Sequence, residues 1–197
     1  MGVDAVVTKG ISALCFARTE GSNSMARDDS LSVTVLYRQR KTALDKAALK
    51  ETVDRAVAAL EAERGAFGAV SLVLVSDRKI RELNRDYAGN NRATDVLSFP
   101  LHEGGEGPEG PHRELGDIVV SVETAARQVG EKQRSGHPQT ETLPEEIALL
   151  FVHGVLHLLG HDHADAGEAQ EMLGYEQRIM ALVRGPGNGP LNLRSGC

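Results

Sequence analysis

His153-Gly154-Val155-Leu156-His157-Leu158-Leu159-Gly160-His161-Asp162-His163 is the stretch on which the fold and chemistry of this chain turn. Two histidines stand four apart in an apolar run, a glycine follows three residues later, and His163 lies ten past the first histidine. In a helix, the i, i+4 spacing puts both imidazoles on one face, one turn apart. A glycine past the last helical residue lets the chain turn back. The third histidine can then return to the same point in space. Three neutral imidazoles with an open fourth position are the usual donor set of a catalytic zinc. One zinc ion per chain on His153, His157 and His163 is therefore expected, although three imidazoles would also accept nickel or copper.

The spacing equals that of the metzincin zinc proteases, H-E-x-x-H-x-x-G-x-x-H. Those proteases carry their glutamate general base directly after the first histidine, where this chain has Gly154. The metal scaffold is present and the peptidase base is not. His161 does not fit the ligand offset and ranks below His163. The alternative for the whole stretch is a core helix whose histidines bond backbone carbonyls.

Outward from this helix the chain reads as alternating strands and helices. Thr142 and Glu145 have capping-box spacing, with Pro144 in the first turn, so the metal helix starts there. Upstream, Ser32 to Tyr37 reads as a short edge strand and Thr42 to about Glu63 as a helix. Ala69 to Val75 is a near-continuous β-branched run, hence a buried strand. Ser76 or Asp77 can cap the next helix, which carries Ile80 and Leu83 on one face. Val96 to Phe99 is a strand stopped by Pro100, and Leu101 to Leu115 is a Gly- and Glu-rich loop. Ile118 to Val122 is a strand followed by a helix to about Lys132, and a last helix runs from about Asp165 to Val183. Met172 and Met180 fall on its helical pattern as core residues. The expected fold is α+β: a single small mixed sheet of about four strands with about five helices, the metal site on a helix and its following turn.

Composition bounds the class. The 197 residues are 41% apolar and 25% charged, which fits one soluble domain with tails. The expected organisation is a disordered extension over 1–30, or an overlong start before Met25, then one catalytic domain over 31–184 and a flexible tail over 185–197. No apolar stretch reaches membrane-helix length, so no membrane partner is expected. Cys15 and Cys197 sit near opposite ends and suggest no disulfide framework, which makes a reducing cytoplasm the default. The net charge of −6, from 22 basic and 28 acidic side chains, argues against coating nucleic acid by charge alone. It leaves room for local phosphate contacts. Two segments are locally basic, one from Arg38 to Lys50 and one from Arg78 to Arg92. Each reads equally as a solvated helix face.

With these motifs in hand, the chain resembles the YbeY family of bacterial ribosomal-RNA maturation endoribonucleases. Residues 153–163 match the family signature H-G-x-L-H-L-x-G-[YHF]-D-H throughout. Further matches are Thr94-Asp95-Val96-Leu97-Ser98-Phe99-Pro100, then Leu115-Gly116-Asp117-Ile118, and more weakly Leu83-Asn84-x-x-Tyr87. The resemblance implies a cytoplasmic, zinc-dependent, single-strand-selective endoribonuclease. Such an enzyme acts in 3′-end maturation of small-subunit ribosomal RNA and in ribosome quality control, with that RNA and the small ribosomal subunit as partners. The family normally carries an arginine directly after the Leu-Asn-x-x-Tyr motif, where this chain has Ala88. Arg92, in the loop leading to Thr94, is expected to fill part of that catalytic and RNA-binding role, with Arg85 as a further RNA contact.

Asp162 is the carboxylate nearest the metal motif. Its expected role is to orient a ligand histidine by accepting its second N–H, and the alternative is a general base. Asp95, Ser98 and Asp117 either line the cleft or serve strand-end hydrogen bonds. Two other readings of the chain remain open: a non-catalytic, zinc-containing ribosome assembly factor, and a zinc peptidase, which Gly154 weakens.

Overall fold

The computed structural model describes residues 5–6, 30–65, 68–101, 113–134, 140–161 and 166–185. The sheet is mixed and is built from β1 (Ala5–Val6), β2 (Leu31–Tyr37), β3 (Gly68–Val75), β4 (Val96–Pro100) and β5 (Glu114–Ser121), in the order β1-β4-β5-β3-β2. Strands β2, β3 and β5 run parallel, β4 runs antiparallel to β5, and β1 lies parallel to β4. The helices are α1 (Lys46–Arg64), α2 (Asp77–Ala88), α3 (Val122–Arg134), α4 (Leu143–Leu158) and α5 (Ala166–Arg184). The fold is thus α+β, with five helices and a sheet of four substantial strands among the described residues.

Local chemistry sets the helix starts. Ser76 caps α2, its hydroxyl accepting from the Lys79 N–H. Thr142 caps α4 by accepting from the Glu145 N–H, with Pro144 in the first turn. The Glu145 carboxylate does not close the expected box on Thr142; it accepts from the Glu141 N–H at 2.8 Å. Helix α1 starts later than the Thr42 expected from sequence. Asp45 is the cap, because its carboxylate accepts from both Ala47 and Ala48 N–H at 3.0 Å.

Two apolar clusters form on the two sheet faces. The larger joins Leu72, Leu74, Ile118 and Val120 to α1, α4 and α5. The smaller joins Val73, Leu97, Phe99 and Val119 to Ile80 and Leu83 of α2, with Tyr87 and Ala88 packed against it. Side chains alternate along a strand, so Ile118 and Val119 point into different layers. Helices α4 and α2 therefore lie on opposite faces of the sheet. Met172 and Met180 are buried in the larger cluster, as core residues.

Other elements also differ from the sequence reading, and β4 includes Pro100 rather than stopping before it. Strand β5 begins at Glu114, inside the expected loop, because pairing with β3 on one side and β4 on the other outweighs the weak strand propensity of Gly116 and Asp117. The backbone turns helical at Val122 rather than after it. Ala5–Val6, within the segment expected to be an extension, pairs with Leu97 and Ser98 and covers part of the open edge of β4. The remainder of 1–29, most of the 101–115 loop, the tail beyond 185, Cys15, Cys197, Asp162, His163 and Asp165 lie outside the described residues. Among the described residues no helix is long and apolar enough to cross a membrane.

Candidate metal centre

Helix α4 is apolar nearly all round, and eleven of its side chains from Glu146 to Leu158 are buried. It packs tightly on the sheet at Gly154. A Cβ built there would stand 2.8 Å from Cγ2 and 3.0 Å from Cδ1 of Ile118. The residue between the histidines and the sheet must therefore be glycine for α4 to sit at this depth. A glutamate at this position would be driven into Ile118.

His153 and His157 meet on one face of α4, their Nε2 atoms 3.0 Å apart and their rings at 83°. Each Nδ1 is engaged behind the pair. His157 Nδ1 lies 2.8 Å from the His161 carbonyl oxygen, and His153 Nδ1 lies 2.5 Å from Glu176 Oε1 on α5. A carbonyl and an ionised carboxylate can only accept, so each neutral imidazole carries its proton on Nδ1. Both Nε2 atoms then present lone pairs to one point. Lone pairs at this distance repel unless a cation or a shared proton lies between them. Two nitrogens on one tetrahedral zinc stand about 3.3 Å apart, given bonds of about 2.0–2.1 Å. The donor set and spacing thus fit a metal ion. His153 and Glu176 keep 15% side-chain exposure, while His157 is buried.

The turn after α4 explains the second of these bonds. Gly160 has φ +90°, its N–H donates to the His157 carbonyl, and the His161 N–H donates to the Leu156 carbonyl. This is a Schellman end with glycine at its left-handed position. It carries the His161 carbonyl back beneath the His157 ring. The His161 side chain leaves in another direction. Its Nε2 accepts from Arg64 Nη2 at 2.5 Å and its ring lies 5.4 Å from that of Tyr175. Burial, then the Arg64 charge, lowers the His161 pKa, with Glu171 opposing. A ring nitrogen already accepting from a guanidinium is no ligand for a metal at the pair. Position 161 acts through its backbone.

Among the described residues no three His, Cys, Asp or Glu side chains converge on one point. The pair supplies two donors, and the expected third, His163, follows outside the described residues. So does Asp162. The carboxylate that orients His153 is Glu176, which sequence reasoning missed. Its only sequence signal is an acidic residue among the buried positions of an amphipathic helix.

The remaining candidates lie elsewhere. Asp95 is 7% exposed and fully committed: Oδ1 accepts from Thr94 Oγ1 and the Val96 N–H, and Oδ2 accepts from Gln128 Nε2 at 2.7 Å. It closes the start of β4. Ser98 is buried at 3% exposure on the strand under α4. Asp117 bonds Ser71 on the α2 side of the sheet, and burial raises its pKa, with the Ser71 hydrogen bond opposing. Arg85 is exposed and paired with Asp86 at 2.7 Å. Arg92 is exposed on the loop after α2, with its carbonyl held by Asn84 Nδ2 at 2.9 Å. Arg85, Ala88 and Arg92 belong to the α2 layer and are not brought to the imidazole pair.

The model of the family described as Endoribonuclease YbeY matches residues 34–184. An Endoribonuclease YbeY of Moorella thermoacetica is 45% identical over 144 residues, which are 68% of this chain and 86% of that relative. The Thermus thermophilus protein of the same name is 42% identical over 129 residues, 65% of this chain and 86% of its own length. The solution structure of a Thermotoga maritima protein superposes with a TM-score of 0.54 at 26% identity, covering 78% of this chain and 90% of that one.

Proposed function

The chain belongs to the YbeY family, and from that premise we propose that it is a metal-dependent endoribonuclease whose reaction centre is the His153–His157 pair. Its substrate is single-stranded ribosomal RNA, and its task is 3′-end maturation of the small-subunit RNA in the cytoplasm. The observation that carries the reading is the pair of Nε2 lone pairs facing each other at 3.0 Å, with both Nδ1 protons held from behind.

Within this reading His163, next in the motif after the Gly160 turn, is the third ligand, and zinc is the metal. When bound, zinc supplies Lewis acidity, which activates water and relieves charge on a phosphoryl oxygen. The protein's own part is orientation. Glu176 holds the Nδ1 proton of His153, and the His161 carbonyl holds that of His157, which fixes both rings and makes each Nε2 a better donor. The substrate approaches from the side of His153, the more exposed of the two. Gly154 keeps α4 seated on Ile118 and leaves no place there for a peptidase glutamate, so phosphodiester cleavage is favoured over peptide hydrolysis.

The test is incubation of zinc-loaded protein with single-stranded RNA, structured RNA and a peptide substrate. Cleavage of the single-stranded RNA, abolished by a chelator and by His157→Ala, is expected, with the peptide intact. Intact RNA under zinc loading would overturn the reading in favour of a non-catalytic assembly role.

A further inference from the structure

We propose that Arg78, Arg81 and Arg92 form a phosphate-binding pocket that anchors a flanking nucleotide of single-stranded RNA on the sheet face opposite the imidazole pair. The choice of RNA as ligand rests on the proposed function; the anion site itself rests on the following geometry. A cavity of about 460 Å³ opens between α2 and the loop after it, lined by Asp77, Arg78, Arg81, Asn91, Arg92 and Ala93. Its three guanidinium groups are exposed, and among the described residues none has a carboxylate within ion-pair distance. The neighbouring charges are already matched, Lys79 with Glu82 and Arg85 with Asp86.

The one acid in the lining, Asp77, is already engaged by other groups. Asp77 accepts from Ser121 Oγ and Thr124 Oγ1 through Oδ1, and from Arg127 Nη1 through Oδ2 at 2.7 Å. Its charge is therefore spent on the start of α3. Arg81 is fixed by its Nε, which donates to Asn91 Oδ1 at 2.9 Å and leaves its terminal nitrogens available. Asn84 Nδ2 holds the Arg92 carbonyl, so the loop is pinned along α2. Three arginines around one cavity, none ion-paired to a carboxylate among the described residues, suit a phosphodiester oxygen, which guanidinium groups bind by charge-assisted, bidentate contacts.

The same loop leads directly into β4, the strand that α4 covers from the other side. The pocket contributes binding of nucleotides beside the cut, while the imidazole pair handles the bond itself.

The test reads binding apart from cleavage. Anisotropy of a fluorescein-labelled single-stranded oligouridylate is followed with the full chain in chelator, across a salt series. The triple variant Arg78→Ala, Arg81→Ala, Arg92→Ala should raise Kd about tenfold or more, from the loss of charge-assisted contacts. Each lost phosphate contact should flatten the log Kd against log salt slope by about 0.7. Arg55→Gln, which removes a charge from α1, should leave both unchanged. The single variants Arg78→Ala and Arg92→Ala, at exposed positions, should each give part of the effect and serve if the triple variant does not fold. Wild-type Kd and slope in these variants would overturn the pocket, whether or not the wild type cuts RNA. RNA bound through the arginines but left uncut under zinc would overturn the proposed function and leave the pocket standing.

Discussion

Gly154 of α4 packs directly on Ile118 of β5: a single methyl on the glycine would meet Cγ2 of the isoleucine at 2.8 Å. This contact limits how deeply α4, which carries His153 and His157, can sit on β5. Gly154→Ala should cost about 1–3 kcal/mol by overpacking. Ile118→Ala, which removes all three of the crowding carbons, should cost about 2–5 kcal/mol alone. In urea titrations the double variant should be more stable than the sum of the singles implies. Strict additivity would show that the two residues do not share this contact.

Glu176 reaches His153 from α5. Its carboxylate holds His153 Nδ1 at 2.5 Å. Glu176→Gln keeps an acceptor but removes the charge, so zinc affinity in a competitive chelator titration should fall about 10–100-fold. The melting temperature of the metal-free protein should change far less. Unchanged affinity would mean that another group orients His153.

The turn after α4 makes a separate claim. Gly160→Ala places a side chain at φ +90°, at a cost of roughly 1–2 kcal/mol. It should also loosen the His161 carbonyl from His157, so zinc affinity should drop together with stability. A variant that loses stability but binds zinc as tightly as the wild type would show that the turn supports the fold alone.

The ends of α4 were legible in the sequence because they rest on local chemistry. Thr142, Pro144 and Gly160 each act within a few residues of themselves. Glu176 was not legible: it lies 23 residues from His153, and only the packing of α5 on α4 brings them together. The carbonyl of His161 was hidden for a different reason, since a backbone acceptor leaves no residue-type signal. The sheet face to which Arg92 belongs was not legible, because sequence adjacency does not say which face a helix covers. Strand β5 was read short because Gly116 and Asp117 look like loop residues until β3 and β4 pair with them.

Asp117 gives a pH prediction. Burial holds its carboxyl above the ordinary range, with the Ser71 hydrogen bond opposing. Between the unfolded value, about 3.9, and the higher folded value, the native state binds more protons than the unfolded chain. Stability contributed by this group is therefore complete at low pH and is lost as pH rises through that window. Asp117→Asn cannot lose a proton and keeps the size and hydrogen-bonding capacity of the side chain. Its melting temperature relative to wild type should be higher at pH 7 than at pH 3. An equal difference at both pH values would contradict a penalty for the buried charge.

The central claim is that His153 and His157 share one metal ion, and metal content per chain measures it most directly. Plasma mass spectrometry of protein loaded with zinc and then desalted should find about one equivalent in the wild type. His157→Ala and His163→Ala should each lose it, while His161→Ala should keep it. Zinc retained at full stoichiometry in His157→Ala would contradict the account.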